Sequence, residues 1–254
     1  MWGNSMLTLN NISTGYGVRT ILNQLTLTVK HGEFVHILGE NGAGKSTLFN
    51  AILGKLSCSS GSIQLNGTPT HTMSSTEHAR KIAYVSQNTL HGTVGDFTVQ
   101  ENMEMALLRG RSAPLLFRKI DINHIQHQLS LCELGLEDRL SAKASDLSGG
   151  QRQALSLIMA LQQVPKVLLL DEHTSALDPN TAKRIMALTH RIITHHKITC
   201  LMITHHLHDA LQYGDRIIIL HKGTVAKEFD ATQKTPLTHH ELIDTMLNIG
   251  ASSC

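Results

Sequence analysis

The segment Gly39-Glu40-Asn41-Gly42-Ala43-Gly44-Lys45-Ser46-Thr47 follows the apolar run Phe34 to Leu38 and precedes the helix-forming stretch Leu48 to Leu53. A glycine-rich turn between a buried strand and a helix restricts the chain to α/β folds, because such a strand needs cover on both faces. The spacing is G-x-x-x-x-G-K-[ST]. Its glycines let successive backbone N–H groups converge, and the helix starting near Ser46 adds the positive end of its dipole, so the loop suits a polyphosphate. Lys45 is long enough to reach β- and γ-phosphates, and the Ser46 hydroxyl is a ligand for Mg²⁺. These residues predict an ATP site whose wall is Gly39, Glu40, Asn41, Gly42, Ala43, Gly44, Lys45, Ser46 and Thr47. A chance glycine turn would not need the Lys-Ser pair directly before a helix.

A second run, Val167-Leu168-Leu169-Leu170-Asp171-Glu172, ends four aliphatic residues in two carboxylates. This places both acids at the C-terminal edge of a core strand, where ligands of open α/β sheets bind. Asp171 is suited to hold Mg²⁺, directly or through water, and Glu172 to take a proton from an attacking water. Alone the pair is a common strand ending; with Lys45 and Ser46 it completes a cation clamp and a base.

The remaining sequence narrows the class. With 254 residues the chain can form one large α/β domain carrying a smaller subdomain. A net charge of +2 and 4% aromatic residues, with no basic block interleaved by aromatics, disfavour nucleic-acid binding. Cys58, Cys132, Cys200 and Cys254 are scattered, which suggests neither a zinc site nor a disulfide framework and fits a reducing compartment. The opening residues lack a secretory pattern, and no run reaches the ~18 apolar residues of a membrane span, so a soluble chain is expected. The pairs His195-His196 and His239-His240 and the trio His205, His206 and His208 lack acidic or thiol partners at ligand spacing, so no structural metal is expected.

Apolar periodicity predicts strands at Leu7 to Ile12, Leu25 to Val29, Ser62 to Leu65, Ile82 to Ser86, Val167 to Leu170, Cys200 to Thr204 and Arg216 to Leu220. Asn66-Gly67 reads as a tight hairpin turn. Helical spacing is found at Val99 to Leu108, Ile122 to Leu134 and Thr181 to His195, which predicts a helical subdomain in the middle of the chain.

Leu147-Ser148-Gly149-Gly150-Gln151 lies between the two phosphate motifs, and here the sequence resembles the nucleotide-binding subunits of ATP-binding-cassette (ABC) transporters. Along nearly the whole chain, Tyr16 matches the aromatic that stacks on adenine, Gln87 the glutamine-loop residue, Ser175-Ala176-Leu177-Asp178 the loop after the acidic pair, and His205 the switch histidine. The resemblance implies an α/β P-loop NTPase fold of the ABC ATPase type, with a mixed core sheet, an N-terminal antiparallel β subdomain and a helical subdomain. It implies a single domain over 6–248, with the helical insert at about 96–160.

The resemblance further implies that ATP and Mg²⁺ are bound, with Ser46, Gln87 and Asp171 around the metal and Glu172, His205, Lys45 and Gln87 in catalysis. Ser148, Gly149, Gly150 and Gln151 would cap ATP held by a second copy of the chain. Partners implied are that second copy, a transmembrane permease docking near residues 89–108 and, indirectly, a solute-binding protein, at the cytoplasmic face of the cell membrane. The surroundings of Asp171 and Leu147 resemble a bacterial import subgroup for amino acids such as tryptophan and tyrosine. A soluble cluster-assembly ATPase is the alternative. Two positions depart from the family pattern: His173 stands where proline is usual, and His206 where aspartate is usual.

Overall fold

The computed structural model describes residues 5–88, 92–109 and 121–251. They fall into two compact units, one reaching Met73 and resuming at Lys197, the other spanning Ser74–His196. The first unit opens with β1 (Ser5–Tyr16), β2 (Arg19–Lys30), β3 (Phe34–Leu38), α1 (Lys45–Ile52), β4 (Ser60–Leu65) and β5 (Thr68–Pro69). The second holds α2 (Ser75–Lys81), β6 (Ile82–Val85), α3 (Val99–Ala106), α4 (Ile122–Ser130), α5 (Gly149–Leu161), β7 (Val167–Asp171) and α6 (Pro179–His196). The chain then returns to the first with β8 (Thr199–Ile203), α7 (Leu207–Gln212), β9 (Arg216–His221), β10 (Thr224–Phe229), α8 (Ala231–Lys234) and α9 (His239–Ala251).

The first unit contains two kinds of sheet. Strands β2-β1-β4-β5 are antiparallel throughout, and β2 alternates buried Leu25, Leu27 and Val29 with exposed threonines, as a sheet with one wet face requires. Asn66 and Gly67 both have positive φ, 49° and 76°, the backbone of a two-residue hairpin joining β4 to β5. The second sheet is mixed in the order β10-β9-β3-β8: β3 is parallel to both β9 and β8, while β10 folds back antiparallel on β9. Every residue of β3 and β8 is buried. Leu38, Ile217 and Ile219 pack with Ala210 of α7 and Leu242 of α9, so the C-terminal helices cover this sheet.

In the second unit, β6 and β7 pair in parallel from Ile82 opposite Val167 to Val85 opposite Leu170. Helix α5 packs against α3, α4, α6 and β6. Buried Asn102 fixes the chain entering α3, donating to the carbonyls of Val94, Phe97 and Thr98 and accepting from the Val94 N–H. Both the oxygen and the nitrogen of that amide are engaged, with partners four to eight residues earlier in the chain.

The α/β architecture with an antiparallel N-terminal sheet, a mixed core sheet and helices is as the resemblance implies. Boundaries differ for local reasons. Strand β1 runs to Tyr16 because register shifts carry it past Ile12. Helix α4 stops at Ser130 because the chain turns through Glu133 and Gly135, both with positive φ. Strand β10 and helices α7 to α9 were not expected. Residues 110–120 of the expected insert, and 89–91 of the expected docking segment, lie outside the described residues. Among the described residues no helix is long and apolar enough to cross a membrane.

Ile37 lies fully buried in β3. Ile37→Ala is expected to lower unfolding free energy by about 2–5 kcal/mol, through lost apolar transfer and the cavity left behind, as measured by urea titration.

Candidate nucleotide site

Strand β3 delivers the glycine loop at its C-terminal end. At Gly39, φ is 150° and an added Cβ would lie 2.4 Å from the Leu220 carbonyl oxygen, so close passage of β9 excludes any side chain. Gly42 and Gly44 have φ of 84° and 103°, a left-handed region that only glycine enters freely. The result is a tight curl that ends at the first residue of α1. Gly44 provides no side-chain cap and the first turn of α1 has no acid, so neither the cap nor that turn brings its own carboxylate to the positive end of the helix. Lys45 is 7% exposed, and its ammonium donates to the carbonyls of Gly39 at 2.6 Å and Glu40 at 3.0 Å. A desolvated cation folded over a glycine cradle is a donor set that fits a polyphosphate, whose charged oxygens are stronger acceptors than carbonyls. Ser46 is exposed beside it, while Ala43 and Thr47 are buried.

Two further residues belong to this unit. Tyr16 closes β1 half-exposed, and its hydroxyl accepts from Asn50 Nδ2 of α1 at 3.1 Å, which ties the ring to the helix behind the loop. His205 follows β8, whose Ile203 is paired with Ile37, so the His205 segment and the glycine loop leave the sheet at the same edge. Thr204 is buried beneath it, and its hydroxyl accepts from the His206 N–H at 3.0 Å.

The second unit carries the acidic pair. Pairing of Val85 with Leu170 brings the residues just beyond β6 alongside those just beyond β7. Gln87 consequently meets Glu172: its Nε2 donates to Glu172 Oε2 at 3.3 Å and to Ser175 Oγ at 3.2 Å. The Ser175 hydroxyl and N–H both donate to the Glu172 carbonyl, at 2.9 and 3.0 Å. Glu172 itself has φ of 45°, a strained position for a residue with a side chain, held by these contacts. Sequence reasoning missed Tyr84, whose hydroxyl donates to Asp171 Oδ2 at 2.9 Å. Burial, and then the adjacent carboxylate, push the Tyr84 phenol up to about 12, so it keeps its proton.

The Leu147 to Gln151 segment starts α5. Ser148 and Gln151 form a reciprocal cap, the serine hydroxyl accepting from the Gln151 N–H and the Gln151 carbonyl oxygen from the Ser148 N–H, both at 3.2 Å. Gln151 also donates to the Leu134 carbonyl and accepts from Arg139, so its amide is engaged at both ends. The two glycines differ. A Cβ on Gly149 would have Leu177 at 3.9 Å as its nearest neighbour, whereas on Gly150 it would lie 2.3 Å from Thr181 Cγ2 at the start of α6.

The two departures from the family pattern differ in setting. His206 is exposed at the N-cap of α7. His173 is 2% exposed, with Nε2 3.1 Å from Thr189 Oγ1. Because the Thr189 hydroxyl donates to the Ile185 carbonyl at 2.7 Å, Nε2 must carry the ring proton.

With this geometry in view, the ABC transporter family matches residues 22–175. The chain belongs to the ABC transporter family. It is an ATP-binding subunit and an ATPase with the ABC cassette fold. Over 245 residues it is 42% identical to a tyrosine transport ATP-binding protein of Clostridioides difficile (strain R20291), covering 94% of this chain and 98% of that one. It is 33% identical over 235 residues to the petrobactin import ATP-binding protein FpuC of Bacillus anthracis, covering 92% and 84%. The dimeric post-hydrolysis structure of the cassette MJ0796 bound to ADP and Pi superposes with a TM-score of 0.75 at 29% identity, covering 89% of this chain and 99% of that one.

Burial pushes the His173 imidazole down to about 4 from its ordinary 6.5. The unfolded chain therefore binds the proton more readily, so stability is level above pH ~6.5 and falls as pH drops towards 4. From pH 7 to pH 5 this group is expected to remove about 2 kcal/mol, and His173→Gln to lose that part of the acid sensitivity. Parallel urea titrations of parent and variant at the two pH values measure the difference.

Proposed function

We propose that this chain is the ATP-hydrolysing subunit of a bacterial importer for an amino acid of the tyrosine kind. It works as a pair of identical chains, bound to a separate permease at the cytoplasmic face of the cell membrane and fed by a solute-binding protein. The observation that carries this reading is the near end-to-end match to the tyrosine transport ATP-binding protein, which spans almost all of both chains. The absence of membrane-crossing helices among the described residues fits a subunit that takes its pathway from another polypeptide.

In this reading Gly39 to Thr47 enclose the β- and γ-phosphates, and Lys45 exchanges its carbonyl partners for phosphate oxygens. Tyr16 stacks on adenine. Ser46, Gln87 and Asp171 would hold Mg²⁺. Mg²⁺, when bound, supplies charge neutralisation at the phosphate oxygens. Glu172 takes the proton of the attacking water, and Gln87, donating to the same carboxylate, keeps it aimed. His205 orients the water and the γ-phosphate. Ser148, Gly149 and Gly150 present the N-terminus of α5 to ATP held by the other copy, an anion at the positive end of a helix. Gln151 belongs to the same contact and also caps that end of the helix.

Glu172→Gln is expected to bind ATP with parent affinity in calorimetry and to lose about 10²–10⁴-fold in hydrolysis; a parent rate removes Glu172 as the base. In the Glu172→Gln background, Ser148→Arg is expected to abolish the ATP-dependent dimer in size-exclusion chromatography, and a dimer that persists refutes the capping role. The import reading itself is tested by co-purification with a multi-span membrane protein and by stimulation of ATP hydrolysis in that complex by L-tyrosine with its binding protein. Exclusively soluble partners would overturn it.

A further inference from the structure

We propose that Tyr84 is a positioning residue for the metal-binding carboxylate of Asp171, holding Oδ2 through its hydroxyl so that the carboxylate meets the divalent cation in one fixed plane. The proposal rests on the reading of Asp171 as a metal ligand and adds the group that orients it.

Strand register makes the contact. In the parallel β6–β7 pair, Tyr84 lies opposite Leu169. Side chains alternate between faces along a strand, so Asp171, two residues beyond Leu169, projects from the same face as Leu169 and its partner Tyr84. Two residues correspond to about 6.6 Å along the strand. A phenol leaning along the strand direction spans that gap and ends on the carboxylate at 2.9 Å. No shorter hydroxyl at position 84 could do so, and a phenylalanine would fill the space without the bond.

The hydroxyl is itself oriented. Ser86 hydrogen-bonds the Tyr84 phenol. Since the phenol proton is directed to Asp171, the Ser86 hydroxyl is the donor in that contact, and Ser86 Oγ in turn accepts from the Asn88 N–H at 3.2 Å. The chain Asn88 to Ser86 to Tyr84 to Asp171 runs on either side of Gln87, whose own side chain contacts Glu172. One short segment, Tyr84 to Asn88, therefore orients both acids at the end of β7: the phenol fixes the first and the amide the second. Hydrogen-bonded neighbours that fix a metal ligand in this way commonly govern affinity for the ion by ten- to a hundredfold.

The test uses the full chain, ATP and Mn²⁺ as the probe, with free and bound ion read by electron paramagnetic resonance. Tyr84→Phe deletes one half-buried oxygen, and its thermal midpoint verifies the fold. The variant is expected to bind Mn²⁺ about ten- to a hundredfold more weakly in the presence of ATP. ATP affinity without metal should be unchanged, and turnover should recover as Mg²⁺ is raised. Asp171→Asn, measured alongside, should lose the ion altogether. If Asp171→Asn loses Mn²⁺ while folded Tyr84→Phe keeps parent affinity, the positioning role is overturned. If Asp171→Asn also keeps it, the metal reading of Asp171 falls instead, and the positioning role with it. A second measurement needs no variant: the chain has three tyrosines, and with ¹³C-labelled tyrosine and ATP, Mn²⁺ is expected to broaden the Tyr84 ring signal before those of Tyr16 and Tyr213. Equal broadening of all three, or none, counts against the proposal.

Discussion

A strand buried on both faces makes a polar side chain costly unless it is hydrogen-bonded, so the acids and the glycine loop gather at or just past the ends of the core strands. Strand β3 ends at Leu38 and the glycine curl begins one residue later; β7 ends at Asp171 with four buried residues before it; β8 gives way to Thr204 and His205. At two of these points the backbone must turn at once, and it does so with positive φ, at Gly39 and at Glu172. Glycine takes that conformation at little cost. Glu172 takes it at a cost of about 1–3 kcal/mol, balanced by the surrounding contacts to its carbonyl and carboxylate. A carboxylate on a backbone that cannot relax is one whose position is set before any substrate arrives.

This constraint also explains what was legible in the sequence. The strand, loop and helix at Phe34 to Leu53 announce themselves because apolar period, glycine spacing and the Lys-Ser pair agree, and Asn66-Gly67 marks its hairpin because only certain residues tolerate two successive positive φ values. Residues at or just beyond strand ends, such as Asp171, Gln87 and His205, are legible for the same reason. Tyr84 was not, because its role depends on β6 lying beside β7 in one particular register, a long-range fact that no local pattern encodes. Strand β10 and helices α7 and α8 were missed because they run only four to six residues each, too short for an apolar period to show; α9 carried helical spacing from Leu242 to Ile249 that went unread. The capping pair Ser148 and Gln151 carried a usable signal, S-x-x-Q before an apolar helix, overlaid on the two glycines between them.

Those two glycines show how one motif can serve two physical ends. Gly149 has room around it, so its small size leaves the helix end approachable. Gly150 sits in close packing, since a Cβ there would meet the Thr181 methyl and force that side chain to shift. The start of α6 is fixed in turn by Asp178, whose carboxylate accepts from the Thr181 N–H at 3.0 Å. The Thr181 hydroxyl, and then the Thr181 backbone N–H, hold the Asp178 carboxyl below its ordinary range.

The second unit therefore joins three motif segments by direct contacts: the acidic pair at the end of β7, the loop from Ser175 to Asp178, and the capped N-terminus of α5. Gln87 touches both Glu172 and Ser175, and Gly150 abuts the helix that Asp178 begins. Under the proposed reading, Glu172 acts on the ATP of its own chain, while Ser148 closes on the ATP of the other. A change at Glu172 on loss of the γ-phosphate would then be passed through Ser175 and Asp178 to α6 and so to the end of α5, without crossing a flexible linker. Close packing transmits small displacements in this way because interiors have few voids in which to absorb them. The two nucleotides of a closed pair would be coupled by the same contacts that hold this unit together.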